Sequence, residues 1–159
     1  MKCADKIWKS LVVLLLFAGA AGAAGAASRD IYPAPGQAKS DLDAALQTAA
    51  ATHKRIILDF GGNWCPDCRA LDIYFHDSVN QPLLEANYIL VHVNIGRLDE
   101  NLRLAARYEN PLSKGVPALA VLGENGKLLY SQKTGEFEAM RHMQPSAVHD
   151  FLVQWVPAS

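Results

Sequence analysis

Two thiols stand three residues apart in Trp64-Cys65-Pro66-Asp67-Cys68. That spacing lets them close a disulfide reversibly when the first opens a helix and the second faces inward. The spacing is common by itself, and its setting gives it meaning. The β-type run Arg55-Ile56-Ile57-Leu58-Asp59-Phe60 leads directly into it, and a helical pattern follows. A strand that ends in C-x-x-C at a helix start is the arrangement of a thiol–disulfide exchange site. Unpaired backbone N–H groups and the helix dipole favour a thiolate at a helix N-terminus, so Cys65 is expected to attack. Cys68, on the buried side of the same helix, is expected to resolve.

Other uses of a thiol pair have to be weighed. A zinc site needs four ligands, and no second C-x-x-C or paired histidine motif completes one. The histidines, His53, His76, His92, His142 and His149, are scattered along the chain, so no metal is expected. A structural staple closing a two-residue loop would constrain the unfolded chain very little. A non-catalytic module binding Cu(I) through the two thiolates and a histidine stays open, because soft Cu(I) suits thiolates.

The surrounding chain narrows the compartment. Lys2, Lys6 and Lys9 precede an apolar run from Leu11 to Phe17, and an alanine/glycine tract ends in Ala24-Gly25-Ala26. That is the pattern of a cleaved signal peptide over residues 1–27. An uncleaved anchor is the alternative, but a span wants about 20 predominantly apolar residues and the Ala/Gly half is weakly hydrophobic. Cleavage would remove Cys3 and take the formal charge from −1 to −3, leaving Cys65 and Cys68 as the only cysteines. Periplasmic or secreted localisation follows as the expectation. Charge this low offers no electrostatic case for nucleic acid or an anionic membrane.

The elements that must position the thiols can be read in order. Residues 28–39, with Pro33, Pro35 and Gly36, read as an extended lead-in to a domain over residues 40–159. Ser40 or Asp41 is expected to cap a helix through about Thr52, before the strand Ile56 to Phe60. Pro66 suits a first helical turn, and that helix continues to Phe75. His76-Asp77-Ser78 reads as a break before a second helical piece, Val79 to Ala86. Tyr88 to Ile95 reads as a buried strand, and Asp99 as the cap of a helix with Leu102, Ala105, Ala106 and Tyr108 periodic. Strands at Pro117–Leu122 and Lys127–Ser131 flank the turn Gly123-Glu124-Asn125-Gly126. A last helix from Pro145 or Ser146 is expected to bury Val148, Phe151, Leu152 and Trp155. The order predicts an α/β fold, a mixed central sheet with helices on both faces.

Asp59-Phe60, Trp64-Cys65-Pro66-Asp67-Cys68-Arg69 and Gly115-Val116-Pro117, taken together, resemble the thioredoxin family over roughly Lys54 to Trp155. The extended helical region from His76 to Tyr88 is similar to the thioredoxin-like domains of periplasmic DsbD-type reductases. The resemblance implies a thioredoxin-like fold and a cis proline at Pro117 that packs on the disulfide. It implies Trp64, Val116 and Pro117 as substrate-facing residues, and Asp59 as a buried acid beneath the site. An aspartate inside an apolar strand is costly to ionise, which suits it to take or return the proton of Cys68. His92 aligns where the family often has a lysine and could tune that acid. Gly61-Gly62-Asn63 replaces a bulkier segment and is expected to loosen the rim. Phe137, Met140 and Met143 are expected to cover the core edge, with a partner surface as the alternative.

Three residues bear on direction. Asp67 puts a negative charge between the thiols, Pro66 removes a donor from the helix start, and Arg69 opposes them. The balance leans to a disulfide reductase, with an oxidase or isomerase of the same fold as the first rival. No cofactor beyond the Cys65–Cys68 disulfide is expected. The implied partners are protein thiols or disulfides and a membrane or periplasmic redox protein.

Overall fold

Strand β1 (Arg55–Gly61) is buried along all but its first residue, and the other elements are arranged about it. The computed structural model describes residues 29–157. The expected signal segment 1–27, with Cys3, lies outside the described residues. The sheet order is β2-β1-β3-β4. Strand β2 (Tyr88–Asn94) runs parallel to β1, while β3 (Ala118–Leu122) is antiparallel to β1 and to β4 (Leu128–Ser131). Side chains alternate across a strand, so β1 serves two cores. Ile56, Leu58 and Phe60 meet Leu42, Ala45 and Ala49 of α1 (Ala38–Thr52) and Ala105 of α4 (Leu102–Arg107). Ile57 meets the opposite layer, which contains Leu71 and Phe75 of α2 (Pro66–Phe75), Leu84 of α3 (Asn80–Asn87) and Val148, Phe151 and Leu152 of α5 (Ser146–Gln154). Asp59 shares the face of Ile57, beneath α2.

Several boundaries differ from the sequence expectation. The lead-in is not extended throughout: Pro35–Gln37 forms a 3₁₀ turn, and α1 starts at Ala38, before Ser40 and Asp41. Pro35 sets the first helical φ, and the Gln37 side chain accepts the Ala34 N–H at 3.1 Å, so the chain turns early. Asp99 does not cap α4. Its carboxylate accepts the Arg97 N–H at 2.7 Å within a turn, and Asn101 precedes the helix in a left-handed conformation. That places Leu102 and Ala106 in solvent while Ala105 and Tyr108 are buried. Strand β2 is only partly buried, because it is a sheet edge paired to β1 alone. The break before α3 has its cause in Asp77, whose side chain accepts the N–H groups of Val79 and Asn80.

Phe137 and Met140 are buried and Met143 partly so, all in the layer over α2 and α5, so these side chains cover the core edge. Phe75 is fully buried at the end of α2, where its ring is shared by neighbouring helices and the sheet. Phe75→Ala is expected to cost about 3–5 kcal/mol, read as a lowered urea midpoint with an unchanged slope. A loss within a few tenths of a kcal/mol would contradict the packing described.

Candidate active site

Cys65 is the N-cap residue of α2, with extended backbone angles, and Pro66 occupies the first helical turn. The chain reaches this point through a tight turn in which the Cys65 N–H donates to the Gly62 carbonyl at 3.0 Å. The two cysteines are joined in a disulfide with their Cα atoms 5.3 Å apart. The Cys65 Sγ accepts the Cys68 N–H at 3.1 Å, one of the orphan donors that every helix start presents. That hydrogen bond is what the helix start offers to a sulfur carrying charge. Cys68 has no exposed surface and Cys65 is 3% exposed.

The distant motif arrives from β3. The Val116–Pro117 peptide bond is cis, and the Val116 carbonyl oxygen lies 3.6 Å from the Cys65 Sγ. Gln132, buried just beyond β4, holds this approach: its Nε2 donates to the Pro117 carbonyl at 3.3 Å and its Oε1 accepts the Leu119 N–H. Gly115 has a φ of +105°, and a Cβ there would strike the Glu138 side chain, so only glycine fits that turn. Trp64 is 39% exposed at the rim. Its indole N–H donates to the Gly96 carbonyl, and the Arg97 guanidinium stacks 5.4 Å from the ring centre.

Beneath the disulfide the buried acid acquires two donors. Asp59 is fully buried. Its Oδ2 accepts the Tyr32 hydroxyl at 2.6 Å and stands 2.9 Å from His92 Nδ1. The register of the parallel strands puts His92 directly beside Asp59. Tyr32 also packs with Cys65 and Cys68 in one small buried cluster. Gly61 makes this possible, because a Cβ there would come under 3.0 Å from both the Tyr32 hydroxyl and the Cys68 Sγ. Burial pushes the Tyr32 hydroxyl well above its ordinary pKa, and the charge and hydrogen bond of Asp59 push it further. For His92, burial disfavours the charged ring, but the hydrogen bond and charge of Asp59, helped by Asp72, outweigh it and raise the pKa.

The structure brings together Asp59, Trp64, Cys65, Pro66, Asp67, Cys68, Arg69, Val116 and Pro117, but two of them stand differently than expected. Arg69 donates to the carbonyls of Asn63 and Arg29, so its guanidinium braces the lead-in against the turn before the thiols. Asp67 is not a lone charge. Its Oδ1 accepts the Arg141 backbone N–H at 2.9 Å and the Arg141 Nε at 3.2 Å. Burial alone would raise the Asp67 pKa, but these Arg141 interactions, with the charge of His142, lower it.

The rim is tied down rather than loosened. Asn63 Oδ1 accepts the N–H groups of Ile31 and Tyr32, and its Nδ2 donates to the Tyr32 carbonyl. Sequence reasoning missed Tyr32, Asn63, Gln132 and Arg141. Tyr32, Gln132 and Arg141 are distant in sequence from the cysteines, and Asn63, two residues before Cys65, gives no sequence sign of the segment it binds. The available signal was the glycine pair Gly61-Gly62, which makes room for neighbours.

The family model described as Thioredoxin-like matches residues 37–123. A crystal structure described as a disulphide isomerase from Xylella fastidiosa Temecula1 is 34% identical, with a TM-score of 0.76 over 80% of this chain and 98% of that one. A thioredoxin from Thermus thermophilus, 22% identical with a TM-score of 0.52 over 77% of this chain and 83% of that one, shares the fold. Over 143 residues the chain is 25% identical to the thiol:disulfide interchange protein DsbD of Pseudomonas fluorescens, covering 88% of this chain and 23% of that protein. The chain thus spans less than a quarter of that relative's length.

The raised His92 pKa has a sign for stability. A group bound more tightly to its proton in the folded state adds stability below its unfolded value of about 6.5, and loses it as pH rises through the folded value. The urea midpoint is therefore expected to fall as pH rises upward from about 6.5. His92→Asn, which keeps a donor near Nδ1 but cannot titrate, should lack that fall. A midpoint that rises over this window in the wild type alone would contradict the assignment.

Proposed function

This chain belongs to the thioredoxin-like family, and from that premise we propose that it is an exported thiol–disulfide oxidoreductase working as a disulfide reductase. The observation that carries the reading is the Cys65–Cys68 disulfide at the start of α2, with the Cys65 sulfur already receiving a helix N–H. In the reduced protein Cys65, as thiolate, attacks a substrate disulfide and displaces one substrate sulfur, which leaves with the electron pair. Cys68 loses its proton to Asp59 and attacks Cys65. The second substrate thiolate departs and the Cys65–Cys68 disulfide forms. The substrate is reduced by two electrons and the cysteine pair is oxidised. A membrane or periplasmic dithiol partner then restores the pair by the same exchange in reverse.

Direction depends on how strongly the Cys65 thiolate is stabilised, since a more stable thiolate makes a stronger oxidant. Pro66 has no N–H to offer, and Asp67 keeps its charge in the loop between the sulfurs. Arg141 offsets part of that charge. This balance supports a moderate or low potential and hence reduction. Export is supported by the signal-like pattern of residues 1–27 and by the DsbD relative. Trp64, Val116 and Pro117 surround the approach to Cys65 and are proposed to meet the substrate backbone. A second reading, an isomerase, is favoured by the description of the Xylella fastidiosa relative.

Equilibration of Cys65–Cys68 against glutathione separates the two. The reductase reading expects a midpoint more negative than about −180 mV, the value of protein disulfide isomerase. A midpoint at or above that value would hand the function to the isomerase reading. In either case Cys68→Ser should accumulate mixed disulfides with exported proteins through Cys65. A variant that traps none would count against exchange catalysis itself.

A further inference from the structure

Asp59 is enclosed, and a carboxyl group that exchanges protons with Cys68 needs a way to keep its charge compensated. Its surroundings are unequal on its two oxygens. Oδ2 is shared by Tyr32 and His92, whereas the buried Oδ1 has no hydrogen-bond partner among the described residues. Oδ1 is therefore free to receive a proton without displacing either donor. Tyr32 cannot supply or remove protons at working pH, because burial and the adjacent Asp59 hold its phenol in the neutral form. Its hydroxyl acts as a fixed donor that orients the carboxyl group.

His92 differs from Tyr32 in both chemistry and position. Its Nδ1 side faces Asp59, while its Nε2 lies 3.7 Å from Asp72 Oδ1. The His92 side chain is 17% exposed, against none for Asp59. The ring thus spans the distance from the buried acid to the surface. We propose that His92 is the solvent-facing member of a proton relay with Asp59, surrendering or regaining its Nε2 proton beside Asp72 as Asp59 gains or returns one at Oδ1.

This relay rests on the exchange chemistry proposed above and adds its proton balance. When Cys68 attacks Cys65, the Cys68 proton moves to Asp59 Oδ1 and the His92 imidazolium releases its Nε2 proton to water. The carboxylate–imidazolium pair becomes a carboxylic acid beside a neutral ring, so the buried pair has no net charge before or after. When a dithiol attacks Cys65, the Cys68 sulfur leaves as thiolate and takes the Oδ1 proton back. His92 then recovers a proton from water. Maintaining neutrality avoids leaving an uncompensated ion in the buried site.

The groups that set the titration of His92 come from each element around it. Asp59 faces it from β1 and Asp72 from α2, with His76 Nδ1 3.2 Å from the same Asp72 oxygen. Tyr32 meets the ring edge-on at 5.1 Å between centres, and Arg29 opposes its charge from the lead-in. Asp41 of α1 lines the shallow surface groove that also reaches His92.

Glutathione disulfide is the probe that tests this without a protein substrate. Reduced protein is mixed with it, and release of the second glutathione from Cys65 by Cys68 is followed by rapid quench between about pH 5 and 8. The wild-type rate is expected to fall in one step as pH rises through the ring titration of His92 followed by NMR, because only the imidazolium has an Nε2 proton to surrender as Asp59 takes up that of Cys68. His92→Asn should lack the step and resolve at least ~10-fold more slowly than the wild type below it, a loss smaller than the usual range for a direct general base. Alkylation of Cys65 by iodoacetamide should be unchanged in that variant. A variant retaining the wild-type rate or the wild-type step overturns the relay, as does a wild-type step displaced from the His92 titration. The NMR comparison on the wild type remains decisive where the variant fails to fold. Failure to trap exported proteins would remove the functional reading yet leave this result standing, because glutathione resolution needs no physiological partner.

Discussion

A carboxyl group sealed under a disulfide is the constraint around which this molecule is built. Burying a polar group without hydrogen bonds costs several kcal/mol, and an ionised one costs more. Asp59 cannot therefore sit in β1 unless other parts of the chain bring donors to it. Tyr32 does so from the lead-in, and His92 does so from the neighbouring strand. Gly61 leaves the space in which Tyr32 and Cys68 converge. Asn63 and Arg69 then fasten the lead-in that carries Tyr32. The parallel register of β1 and β2 is what turns His92 toward Asp59, since a slip of one residue would send it to the opposite face.

The electrostatics divide into two layers around the sulfurs. Below them, Asp59 and His92 form a compensated pair, with Tyr32 as a permanent donor. Beside them, Asp67 is held by Arg141 from the segment that precedes α5. That segment is fastened from the inside by Phe137 and Met140, so core packing and the charge next to the cysteines are linked through a few residues. The pair is half exposed on the arginine side, where solvent screening limits its strength. A small electrostatic contribution still matters, because about 1.4 kcal/mol corresponds to 30 mV in a two-electron couple.

Local chemistry was legible in the sequence where one residue type at one spacing had few alternatives. Cys65, Pro66 and Cys68 announced a helix start bearing thiols, and the apolar run of β1 announced the strand beneath it. Asp59 stood out because a carboxyl group in such a run has to be explained. Helix starts were less legible: α1 begins earlier because Pro35 and Gln37 close a turn, and Asp99 serves a turn instead of α4. His92 was legible beside Asp59, but its other partner, Tyr32, and the partner of Asp67, Arg141, were illegible for a physical reason. Tyr32 and Arg141 reach the site only through tertiary folding, across sequence separations of 27 and 74 residues, and neither sits in a pattern with a period. The expected looseness of Gly61-Gly62-Asn63 failed for the same reason, since the small residues admit a segment from elsewhere.

The dependence of exchange on the buried acid is tested most directly by Asp59→Asn in an insulin-reduction assay driven by dithiothreitol. The substitution keeps the volume and the acceptor at Oδ1 while removing the ability to hold a proton there. Turnover is expected to fall by about 100-fold, the lower end of what a positioned general base contributes, with circular dichroism unchanged. Turnover equal to the wild type in a folded Asp59→Asn protein would contradict the account at its centre.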